Sequence, residues 1–88
     1  MTFGEALELT KQGKLICREG WNGKNQFVFL IKKENLAKCF DGTVLNVFEV
    51  TPTLAIKTTS GQIQVGWLAT QTDMLSTDWE EFKFNKGE

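Results

Sequence analysis

The run Gln26-Phe27-Val28-Phe29-Leu30-Ile31-Lys32 constrains the fold more than any other part of this chain. Its interior is apolar at every position, so it reads as a strand covered on both faces, and such a strand belongs in the middle of a sheet. Around it the sequence punctuates itself clearly. Thr2 followed three residues later by Glu5 is a capping box, and Phe3, Ala6, Leu7 and Thr10 fall on one helical face. A helix is predicted from Phe3 to Gln12, closed by Gly13 in a left-handed conformation, with Glu5, Glu8 and Lys11 toward water. Leu15 to Arg18 reads as a short strand running into the turn Gly20-Trp21-Asn22-Gly23, where Asn-Gly is expected to supply the positive φ. Leu54 to Thr58 and Gln62 to Trp67 alternate around Thr59-Ser60-Gly61, a hairpin with glycine at the bulge position. In that reading Leu54 and Ile56 share one phase, Ile63, Val65 and Trp67 share another, and one face of the hairpin is core. Thr70 and Asp73 start a single helical turn through Leu75. Trp79 to Phe84 forms a last strand with Phe82 and Phe84 on one side, and residues 85–88 fray. Residues 33–43 read as loop, with a turn at Asp41-Gly42, and Val44 to Val50 as a short edge strand before Thr51-Pro52. The predicted class is α+β over a single domain, residues 1–88: an N-terminal helix packed on a small, mainly antiparallel sheet, with a second short helix near the C-terminus.

Composition narrows the function. A chain of 88 residues buries only roughly 60 to 65% of its unfolded surface, so self-association would help it. The hydrophobic share of 41%, with seven Phe and three Trp, is enough for a packed core. A net charge of −1 argues against a nucleic-acid polymer as partner, because phosphate binding needs a basic face. No apolar run reaches membrane-span length, and the N-terminus lacks the pattern of a signal peptide, so a soluble cytosolic protein is expected. Two cysteines, Cys17 and Cys39, show no C-x-x-C spacing and read as reduced, packed thiols. With no histidine, the commonest metal ligand and proton carrier is missing. No nucleophile has a base to activate it, no phosphate loop occurs, and Glu34, Glu80 and Glu81 read as solvated faces. Neither a metal nor a cofactor is expected.

Two segments nevertheless combine a large aromatic with small, hydrogen-bonding residues: Arg18 to Gly23, and Trp67 to Leu75. That mixture suits a planar polar ligand, with a face to stack on and polar groups to orient it. Trp21 could plug one end of the core, stack on a ligand ring or sit at a subunit interface. Arg18 could pair with its neighbour Glu19 or present a guanidinium fork to a phosphate or carboxylate. Asn22 is a turn residue or an amide that reads a base or ribose. Thr70, Gln71, Thr72 and Asp73 either cap a short turn or contribute to an anion seat, where Asp73 would suit ribose hydroxyls better than phosphate. Met74 fits core or a flat ring. Trp67 and Trp79 read as core.

The opening Met1-Thr2-Phe3-Gly4-Glu5-Ala6-Leu7, the Arg18-Glu19-Gly20-Trp21-Asn22-Gly23 turn and the Trp67-Leu68-Ala69-Thr70-Gln71-Thr72-Asp73-Met74-Leu75 run, followed by Asp78-Trp79, resemble the second Thoeris anti-defence family of bacteriophages. Those small proteins were earlier catalogued only as a domain of unknown function. The resemblance covers most of the chain, but residues 33–53 match little and nothing is carried over to them. It implies a sponge that sequesters, without cleaving, a cyclic ADP-ribose isomer of the glycocyclic type. A TIR-domain enzyme of the infected bacterium makes that signal from NAD to trigger a killing effector. It also implies a homo-oligomer, expected to be a tetramer, with ligand at a subunit interface in the host cytoplasm, and cyclic dinucleotides as a further ligand class. On this resemblance Trp21 and Phe3 face the adenine, while Arg18 and the backbone of Thr70 to Thr72 face the phosphates. Asn22, Gln71 and Asp73 then meet ribose or base edges, with Met74 beside them.

Overall fold

The computed structural model describes residues 1–36 and 49–84. In chain order the elements are α1 (Phe3–Lys11), β1 (Leu15–Arg18), β2 (Phe27–Ile31), α2 (Lys33–Leu36), β3 (Thr53–Lys57), β4 (Ile63–Val65), α3 (Gln71–Leu75) and β5 (Trp79–Phe82). The strands form one sheet in the order β4-β3-β2-β1-β5, antiparallel throughout, so the apolar run of β2 takes the central place expected of it. With α1 against the sheet and α3 near the C-terminus, the fold is α+β.

Both ends of α1 follow from local chemistry. Thr2 and Glu5 exchange the two hydrogen bonds of a capping box, at 3.2 and 2.8 Å. At the other end Gly13, at φ +86°, lets its own N–H reach Thr10 and that of Lys14 reach Leu9, a Schellman closure. The helix lies across β1, β2 and β5. It buries Ala6 against Ile16, Val28, Ile56 and Trp79, with Phe3, Leu9, Trp21, Leu54 and Trp67 packed around this cluster. Thr10 is also buried, its hydroxyl donating to the Leu7 carbonyl at 2.7 Å.

Register assigns the faces. Ile16 opposes Val28, Val28 opposes Ile56 and Ile56 opposes Gln64, so these four point toward α1. Ile63 and Val65 oppose Lys57 and Ala55 on the far face, where they are 58% and 60% exposed. They are therefore not part of the core under α1. Trp67 departs from their phase because Gly66, at φ +91°, forms a bulge: the N–H groups of Gly66 and Trp67 both donate to the Leu54 carbonyl, at 2.9 and 2.8 Å. Two residues opposite one shift the alternation and send the indole to the α1 side. The hairpin loop itself is as expected, a turn closed by Gly61 at φ +85°.

Two further local expectations change. Lys33 to Leu36 forms a helical turn rather than loop, held by the Lys32 N–H donating to Asn35 Oδ1 at 2.7 Å. Two turns follow β1, one at Glu19-Gly20 and one at Lys24-Asn25; the positive φ falls at Asn25, +59°, and not at Asn22-Gly23, where neither residue has positive φ. Gly23 answers to space: a Cβ there would collide with the Thr59 methyl and come within 2.7 Å of Gln26 Oε1. Asp41-Gly42, Cys39, the predicted strand from Val44 through Phe48 and residues 85–88, expected to fray, lie outside the described residues; Glu49 and Val50 are in no regular element.

Candidate functional site

The two sequence segments meet at one end of the sheet because β1 and β5 pair. Arg18, the last residue of β1, opposes Trp79, the first of β5, which carries the turn after Arg18 next to the segment leading out of α3. The Glu19 N–H donates to the Asp78 carbonyl at 3.1 Å, and the Gly20 N–H to Asp78 Oδ2 at 2.8 Å. Gly20 permits this approach: a Cβ there would lie 2.7 Å from Asp78 Oδ2 and would displace the carboxylate.

Arg18 pairs with two aspartates and not with Glu19. Its Nε donates to Asp78 Oδ1 at 2.8 Å and one terminal nitrogen donates to Asp73 Oδ1 at 2.9 Å. The Trp21 indole N–H donates to the same Asp73 oxygen at 3.2 Å. Asp73 in turn closes a capping box with Thr70, both bonds at 3.1 Å, and its carbonyl accepts the Trp79 indole N–H at 2.8 Å. One buried carboxylate thus joins α3, the Trp21 turn and β1.

The electrostatics follow from these contacts. Burial pushes the Asp73 carboxyl up, but hydrogen bonds from the Thr70 backbone, Arg18 and the Trp21 indole outweigh it and hold the group below its ordinary value. Asp78 is held low by Arg18 above all, then by the Gly20 N–H, with burial opposing. Both are ionised at neutral pH, so the Arg18 charge is opposed by two carboxylates rather than directed outward.

Four aromatic rings back this network. Trp79, buried, has Phe3 at 5.1 Å, Trp21 at 5.3 Å and Trp67 at 6.3 Å between ring centroids. Phe3 therefore sits within the aromatic wall, and Trp21 is half-buried with its edge toward Trp67 and Trp79. Asn22, Thr70, Gln71 and Thr72 are exposed, as are Met74 at 42%, Leu75 at 78% and Leu68 at 88%. Sequence reasoning missed Asp78 as a site residue; its only signal was the Asp78-Trp79 pair, which gains meaning once β5 lies against β1.

This surface is open to solvent. One concavity of about 370 Å³ lies at the C-terminal end of α1, and one of about 620 Å³ lies between the Gly23–Gln26 loop and β5; Arg18 and Gly23 line the second, but neither includes Trp21 or the Thr70–Met74 segment. Among the described residues no three His, Cys, Asp or Glu side chains gather as metal ligands. The Cys17 thiol, on the far face of the sheet, is pushed up to about 11 by burial and by the charge of Glu80, so it is protonated and a poor nucleophile. Among the described residues, no helix is long and apolar enough to cross a membrane.

The model of the Thoeris anti-defense 2-like domain matches residues 1–82. The chain is 43% identical over 83 residues to Thoeris anti-defense 2 of Bacillus phage SP01, a match covering 91% of this chain and 92% of that protein. The match contains the capped first helix, the Arg18–Gly23 turn and the Trp67–Leu75 segment, and it makes this chain a member of the Thoeris anti-defense 2 family of phage anti-defence proteins.

Proposed function

We propose that the protein acts against Thoeris by binding and holding, without cleaving, a cyclic ADP-ribose isomer in the cytoplasm of the infected bacterium. The observation that carries this reading is the joining of the two segments through Asp73, which ties the Trp21 ring to the short helix whose first turn carries exposed Gln71 and Thr72, with exposed Asn22 next to Trp21 in the chain. The ligand offers an adenine to stack, riboses to hydrogen-bond and a pyrophosphate. Trp21 takes the ring, backed by Phe3 through the aromatic wall. Asn22 and Gln71 meet base or ribose edges, and Thr72 and Met74 complete the surface. Asp73 and Arg18 act from beneath it.

An open surface suits a ligand enclosed between subunits. Exposed Leu68, Met74 and Leu75 support self-association at this end of the molecule, with the tetramer as the proposed assembly. Silencing a signal requires holding it below its effector's threshold, and a dissociation constant of nanomolar order corresponds to about −12 kcal/mol. Cyclic dinucleotides, which carry the same purine, ribose and phosphate groups, form a second candidate class.

The test is calorimetry with a cyclic ADP-ribose isomer, followed by heat denaturation of the complex and chromatography of the released ligand. Tight binding and intact ligand are expected. A cleaved product would make the protein an enzyme, and no heat at micromolar ligand would point to inhibition through protein docking. Trp21→Ala should still fold and bind at least about tenfold more weakly, since stacking of a base on an aromatic contributes about 1 to 3 kcal/mol.

A further inference from the structure

We propose that Asp78 and Asp73, bridged by Arg18, form a clamp that positions Trp21 in the free protein, so that Asp78 is a positioning residue for ligand capture although its side chain points at the Arg18 turn. The inference rests on the sequestration reading for its functional consequence, but not for its geometry.

Trp21 lies in a loop, where nothing in the backbone alone would fix an indole. Here the loop is held at successive points. The Glu19 N–H is bound by the Asp78 carbonyl, the Gly20 N–H by the Asp78 carboxylate, the Trp21 N–H by the Arg18 carbonyl at 3.2 Å, and the indole N–H by Asp73. Arg18 ties the two carboxylates together, and its side chain is itself 14% exposed. A planar guanidinium with several donors is the group that can span two carboxylates in fixed geometry. A ring pre-set in this way loses less rotamer freedom on binding, which raises affinity without adding a contact. Arg18 then serves the ligand through Trp21 rather than by meeting a phosphate.

The test uses Asp78→Ala in the full chain with two readouts. In the unliganded protein, the Trp21 indole N–H resonance, identified by its loss in Trp21→Phe, should shift and exchange faster with solvent. The Trp79 indole, bonded to a backbone carbonyl, should stay in place. Calorimetry with cyclic ADP-ribose isomer should show at least a tenfold weaker complex. A folded Asp78→Ala protein with an unmoved Trp21 indole, or with undiminished affinity, overturns the proposal. Should Asp78→Ala fail to fold, Gly20→Ala carries the same expectations, because its methyl displaces the Asp78 carboxylate without removing its charge. Gly61→Ala lowers stability from the hairpin loop and should leave both the indole and the affinity at wild-type values; an equal loss there would reduce the clamp to general stability and overturn it. A wild-type protein that binds no ligand sinks the sequestration reading instead, and the indole resonance still decides whether the clamp exists.

Discussion

Asp73 is the residue on which the local chemistry converges, and its ionisation makes the convergence measurable. Its carboxylate accepts from Thr70, Arg18 and Trp21, and together these contacts hold it below its ordinary value despite burial. Asp78 is held low by Arg18, and Glu5 by its bonds with Thr2. A carboxylate whose folded value is depressed contributes stability that is fully present above the unfolded value, about 4. That contribution is lost as pH falls through the lower, folded value, because the unfolded chain takes up a proton that the folded chain refuses. Denaturant melts are therefore expected to give constant stability from these groups above about pH 5 and a fall below pH 4. In Asp73→Asn the fall should be shallower and the protein less stable at neutral pH, because Asn keeps the shape but not the charge that Arg18 needs. A slope unchanged in Asp73→Asn would mean that the carboxylate is not held low by the clamp.

At the scale of elements, what the sequence declares depends on whether the signal is local. Both capped helices were legible because Thr2 with Glu5 and Thr70 with Asp73 carry their caps within one turn, and β2 was legible because its apolar run admits no solvated face. The partners of Arg18 were not legible, since Asp73 and Asp78 lie 55 and 60 residues away and come near only when β5 pairs with β1. Trp67 was misphased for a different reason: Gly66 looks like one more residue of an alternating strand, and only its positive φ reveals the bulge. The bulge makes a prediction of its own. Among the described residues, no atom outside the adjoining residues lies within 4 Å of a Cβ built on Gly66 or on Gly61, so an alanine at either meets backbone strain alone. Each substitution should cost roughly 1 to 2 kcal/mol, the usual penalty for a side chain in the left-handed region. Their consequences should differ. Gly61→Ala strains the hairpin loop and leaves the aromatic cluster intact. Gly66→Ala releases the shift that turns Trp67 inward, so the near-ultraviolet circular dichroism of the Trp21, Trp67 and Trp79 group should weaken in that variant alone. Equal spectra for the two would show that the bulge does not place Trp67.

For the whole molecule, small size turns ligand binding into a large thermal effect. A ligand that binds only the folded state adds about 2.7 kcal/mol of stability when present at a hundredfold excess over its dissociation constant. In a domain of 60 to 100 residues each kcal/mol moves the melting temperature by roughly 4 to 8 °C, so a sponge of nanomolar affinity should melt about 10 to 20 °C higher at sub-micromolar free ligand. Time then separates holding from cleaving. A sponge keeps its shifted melting temperature through hours of incubation at a fixed ligand dose, because the bound molecule is never consumed. An enzyme would let the shift decay toward the unliganded value as substrate disappears, unless its product bound as tightly. Protein concentration separates a further pair. If ligand is enclosed between subunits, dilution should lower the unliganded melting temperature and ligand should suppress that dependence, because both association and binding favour the same assembled state. A ligand-induced shift that is identical at every protein concentration, with an unliganded melting point that dilution leaves unmoved, would place the whole site within one protomer.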